Sequence, residues 1–154
     1  MIIEIAAIIV TILLTALMCS GNLGVGSILT MVLDFPSLIS IVILAFPILL
    51  RNGMWKDFVR GFKLLSKKYK CSLADLKRTL DVVELLQKQI LYAGIILTVF
   101  STIFVLGQLS TPEIVGANIA VALIVILYAA IFEMLLLPIH IEVKRRIIDY
   151  MEAE

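Results

Sequence analysis

Apolar positions fall along this chain in four long blocks, separated by two connections without Lys or Arg and one long charged one. A hydrocarbon core about 30 Å thick requires roughly 20 helical residues. The blocks run from Ile2 to Ser20, Pro36 to Leu50, Ile90 to Leu109 and Ile114 to Ile139, and each predicts a membrane-spanning helix. The second is short, rising only about 22 Å between Pro36 and Arg51, and Pro47 predicts a kink because it removes a backbone donor. Starting that span near Ile28 would bury Asp34, so Asp34 is expected at the outer surface.

The charged positions orient these spans. Ten of the 13 Lys and Arg residues lie between Arg51 and Lys88, and the other three are Lys144, Arg145 and Arg146. The connections 21–35 and 110–113 contain none. Because basic residues collect on the cytoplasmic side, both termini and the central segment are expected there. The organisation is then 1–50 for spans 1 and 2 with their outer loop, 51–89 for a cytoplasmic helical segment, 90–140 for spans 3 and 4, and 141–154 for a cytoplasmic tail.

Within the central segment the period changes. NGMWKDFVRGFKLLSKKYK places Trp55, Phe58, Val59, Phe62 and Leu65 on one helical face, with Lys56, Asp57, Arg60, Lys63 and Lys67 elsewhere. That face suits the inner headgroup layer or packing against a second cytoplasmic helix. CSLADLKRTLDVVELLQKQ then opens on Ser72 and Asp75, spaced as a capping box. Leu73, Leu76, Leu80 and Val83 form its stripe, and no Pro or Gly interrupts Ser72 to Tyr92. This predicts one stiff helix continuing into the third span.

Composition agrees with the pattern. Of 154 residues 62% are hydrophobic and 16% charged, with a mean hydropathy of +1.12. A soluble domain is about half apolar, so the expected class is an all-α integral membrane protein with four transmembrane helices. Glu4 stands where a signal peptide would be basic, so the first helix is expected to be retained. Cys19 and Cys71 are expected near opposite membrane faces, which predicts no disulfide. There is one histidine, no phosphate loop, no Cys/His metal spacing and no serine nucleophile motif. No enzyme, cofactor or metal site is therefore expected, and topology explains the basic segment without nucleic acid.

The candidate chemistry lies inside the spans. In the third, Gly94, Thr98, Ser101 and Thr102 fall near one side. Their hydroxyls can bond one turn back along their own helix without further role, or they can line a polar path or meet a partner helix. The fourth span carries small residues at Gly116, Ala117, Ala120, Ala122, Ala129 and Ala130, as a packing helix does. Glu133 lies about 10 Å inside His140. A carboxylate there costs up to about 3 kcal/mol unless paired, hydrated or protonated. It can pair with Arg51 or another basic residue, line the inner half of a proton route, or bind a partner subunit. Pro138 is expected to bend or end this span, and His140 to lie at the interface.

Three stretches resemble one family, the A subunits of bacterial flagellar stators within the wider MotA/TolQ/ExbB proton-channel group. LDFPSLISIVI (33–43) resembles the opening of that family's second span. LTVFSTIFVLGQLSTPEIVGANIAVAL (97–123) resembles its third span, short outer turn and fourth-span start. ILYAAIFEMLLLPIH (126–140) resembles the run from tyrosine to proline that ends its fourth span, placing Tyr128 and Pro138 in structural or gating roles with Gly116 and Ala120. By this resemblance Thr98 falls on an ion-path threonine, with Ser101, Thr102 and Glu133 facing the path or a partner. The chain departs from the family at Val125-Ile126, where a Thr-Thr pair is usual, and at Leu91, where a proline precedes the third span. Two aliphatic residues offer sodium no oxygen ligand, so protons are the expected coupling ion.

The resemblance implies a proton-driven motor in the bacterial inner membrane, with a homo-oligomeric ring of five A subunits around a dimer of a single-span B subunit like MotB, ExbD or TolR. Membrane lipid would surround the ring. The alternative is a non-conducting scaffold subunit related to the same family.

Overall fold

A computed structural model describes residues 6–11, 14, 33–66, 69, 71–107 and 112–152. Most of the first apolar block, Cys19, residues 21–32, Lys67, Lys68, Lys70 and residues 108–111 lie outside the described residues. Residues 6–11 are helical. They are followed by α1 (Phe35–Ala45), α2 (Pro47–Arg51), α3 (Trp55–Leu64), α4 (Leu73–Gly107) and α5 (Pro112–Glu152). Among the described residues all regular structure is helical.

Two helices, α4 and α5, are long and apolar enough to cross a membrane. At 35 and 41 residues they measure about 52 and 62 Å, so each extends well beyond a hydrocarbon core. The uninterrupted α4 follows from its sequence: Ser72 accepts the Asp75 amide (3.2 Å) and donates to its carboxylate (2.9 Å), closing the cap, and nothing later breaks the helix.

These two helices form an antiparallel hairpin, with Gly94 against Ala129 and Thr98 against Ala122. Gly94 makes the approach possible. A Cβ built there would lie 2.5 Å from that of Ala129, far inside the 3.5–4.0 Å of ordinary carbon contacts. Buried Leu86, Ile90 and Val105 on α4, with Ala122, Val125 and Leu136 on α5, extend the seam.

Pro138 does not end its helix, which continues to Glu152, although an interior proline costs about 3 kcal/mol. Ile139, Val143 and Ile147 beyond it are all buried, and each such side chain contributes about 1.5–3 kcal/mol. That packing holds the helix through the missing hydrogen bond.

Against one side of the hairpin, α1 buries Ser37, Ile41 and Ala45, and α2 continues the contact with Leu49. The break between them falls at Phe46, immediately before Pro47, as its lost donor predicts. Below, α3 turns away by 106° from α1 and α2 through Gly53, whose φ of +66° is readily adopted by glycine. It packs on both long helices through Phe58, Gly61 and Leu64. A Cβ at Gly61 would lie 3.0 Å from the Ile139 side chain and 3.5 Å from Thr79.

The α5 extension then locks α3 in place. Arg146 donates to the carbonyls of Leu64 (2.7 Å), Ser66 (3.1 Å) and Tyr69 (2.7 Å), and its Nε to Glu142 (2.8 Å). Of these, the Leu64 carbonyl is one that the end of α3 leaves without an intrahelical partner. Tyr150 donates to the Cys71 carbonyl at 2.9 Å. Burial, with Asp75 nearby, pushes the Cys71 thiol above its ordinary pKa despite Arg60 and Arg146.

Candidate functional site

The elements α1, α2 and α3 cover one side of the hairpin, and the other side carries the polar side chains. On α4, positions 87, 91, 95, 98 and 102 recur every three or four residues and share a face. Leu91, Ile95 and Thr102 on that face are exposed, and Gln87 and Thr98 are half-buried. On α5, Ile126 and Leu137 are exposed, and Glu133 and His140 are half-buried beside them. Among the described residues, no other helix buries Leu91, Ile95, Ile126 or Leu137.

The polar groups of this face sit at two levels. Higher on the hairpin, the Thr98 hydroxyl points across to the Ala122 carbonyl at 3.5 Å, the outer limit of a hydrogen bond. Thr102 donates back to the Thr98 carbonyl at 2.7 Å, the self-satisfied arrangement common for hydroxyls in membrane helices. Ser101 is half-buried and lines a cavity of about 310 Å³ with Phe100, Phe104, Asn118 and Val121.

At the lower level, Glu133 has the Gln87 side chain within hydrogen-bonding reach and His140 nearby. Among the described residues no ion pair joins it to Arg51, which is exposed at the end of α2. The His140 Nδ1 is buried and without a hydrogen-bond partner. A carboxylate, an amide and an imidazole thus gather at a lower level of the same face as the hydroxyls.

The small residues of α5 divide. Ala122 and Ala129 are buried against α4, whereas Gly116 and Ala120 are exposed, with nothing within 4 Å of a Cβ built at Gly116.

One polar cluster joins the start of α1 to α5. Asp34, expected at the outer surface, donates its backbone amide to the Tyr128 hydroxyl at 2.8 Å. Tyr128 is 7% exposed and stands 16 residues beyond Pro112, about 24 Å down α5. Buried Ser37 donates its hydroxyl to the Asp34 carboxylate. With its side chain and amide both satisfied, Asp34 tolerates a position well below the end of the hairpin. Neither the Ser37 contact nor the pairing with Tyr128, 94 residues away, was read from the sequence.

No protein family, curated protein or solved structure matches the chain.

Proposed function

We propose that this chain is an A-type subunit of a proton-driven membrane motor, similar to MotA. It would have four spans, cytoplasmic termini and a place in the bacterial inner membrane. Copies form a ring around a B-type single-span dimer, which brings the proton-binding carboxylate. The supporting observation is the open hairpin face, on which Thr98 and Thr102 stand above Gln87, Glu133 and His140. A partner helix pair against this face would meet hydroxyls and a carboxylate within the apolar belt. The drive is adequate, since each charge crossing the membrane releases roughly 2.3 kcal/mol per 100 mV.

In this reading Glu133 serves the inner half of the route and Thr98 the wall nearest the partner. Glu133→Gln, expressed with the B subunit, keeps an amide within hydrogen-bonding reach of Gln87 and removes the exchangeable charge. Proton-driven work is expected to fall at least tenfold with assembly intact; unchanged work removes Glu133 from the route.

A non-conducting scaffold is the second reading. It is favoured by Val125, buried in the seam, and Ile126, exposed beside the face, where the family resemblance implies hydroxyls. Proton flux through reconstituted A–B complexes separates the two: flux supports the motor, and an assembled but tight complex supports the scaffold.

A further inference from the structure

At the inner edge of the bundle, α3 presents a second surface. The 106° turn from α1 and α2 lays it against α4 near Thr79 and α5 near Ile139. Its outward side is ordered in two strips. Trp55 and Phe62, two turns apart, are 44% and 43% exposed. Lys56 and Lys63, with the same spacing, are exposed on the adjacent strip, and exposed Arg51 ends α2 just before the turn. The acid of this helix, Asp57, is taken up by Arg60.

The aromatic strip connects to the membrane helices. Phe46 in the second apolar block lies 6.3 Å from Trp55 and 6.0 Å from Phe58 between ring centroids, and Phe58 lies 5.1 Å from Phe62. Beside these rings is an apolar cavity of about 230 Å³, bordered by Phe46, Phe62, Leu86, Ile90, Phe132 and Leu136. Cations therefore flank an aromatic edge that leads into an apolar cleft between membrane helices.

We infer that α3 is a binding element for anionic phospholipid of the adjacent leaflet. Arg51, Lys56 and Lys63 receive the headgroup phosphate, Trp55 and Phe62 lie at the boundary between headgroup and acyl chain, and an acyl chain enters the cleft. An interfacial helix with aromatics beside lysines has this chemistry, and basic segments next to a span attract anionic lipid. The inference needs only that the chain lies in a membrane, and is independent of ring formation or proton flow.

Trp55 is the sole tryptophan, so it reports alone. The full chain is reconstituted in vesicles of zwitterionic and anionic phospholipid, with bromine on the acyl chains of one or the other at equal fraction. Brominated anionic lipid is expected to quench Trp55 well beyond brominated zwitterionic lipid. The preference should fall about fivefold for each cation removed in Lys56→Gln and Lys63→Gln, and shrink in high salt in the unaltered chain. Equal quenching by the two lipids overturns the headgroup selectivity. Quenching by neither means that protein covers the aromatic strip and overturns the site. A preference that survives both the double substitution and salt overturns the role of the lysines.

Discussion

Replacing Gly94 with alanine tests the packing on which the hairpin depends. The added methyl would lie 2.5 Å from the Ala129 Cβ. Ordinary carbon contact needs 3.5–4.0 Å, so the helices must part by about 1 Å or more at their closest point. A gap of that size forfeits a quarter to a half of the dispersion energy of each neighbouring contact, and overpacked cores lose about 1–3 kcal/mol. Helix propensity acts in the other direction, favouring alanine by about 1 kcal/mol, so a net loss measures the clash and not the helix. Gly94→Ala is expected to lose about 0–2 kcal/mol net against denaturant in micelles. Adding Ala129→Gly transfers the methyl from one helix to the other and should restore stability to near that of the unaltered chain. The coupling in this double-mutant cycle should exceed about 1 kcal/mol and be favourable. A Gly94→Ala variant stabilised by the full propensity gain of about 1 kcal/mol, or a double variant showing no favourable coupling, would refute close approach at this point.

Other substitutions separate support from function. Arg146→Ala removes three carbonyl contacts and should cost about 1–3 kcal/mol of local docking. In a Cys19→Ser background, maleimide labelling of Cys71, slow at neutral pH because burial disfavours its thiolate, should then accelerate. Arg146→Lys should rescue it poorly, since an ammonium cannot fork between carbonyls. Tyr128→Phe leaves the part-buried Asp34 amide without its acceptor and should lower stability by about 1–3 kcal/mol in the same unfolding assay. Thr98→Val should cost under about 1 kcal/mol of stability, because interhelical hydroxyl bonds in membranes average near 0.6; if the proposed motor then loses its work with stability kept within that bound, Thr98 belongs to its path.

Much of the helical architecture follows from short-range rules. The Ser72–Asp75 cap, the unbroken run into the third apolar block and the break before Pro47 all rest on local backbone chemistry that a sequence displays. The corrections come from distant partners. Local propensity alone would stop α5 at Pro138, yet Ile139, Val143 and Ile147 bury against other helices and carry it onward. The apolar period of α3 marked Trp55 and Phe62, but these are the half-open edge, and Gly61 and Leu64 supply part of the packed one. A glycine has no hydropathy to reveal that a neighbouring helix needs its missing side chain. Of the polar residues, the hydroxyl stripe of α4 was visible as a period, whereas the grouping of Gln87 with Glu133 and His140 requires the hairpin register.

Imaging the chain purified with any single-span protein encoded beside it tests the proposed assembly most directly. Several copies should surround a helix pair, with Thr98, Thr102 and Glu133 turned toward it. A lone bundle, or a complex in which Thr98 and Thr102 face the acyl chains, would contradict it.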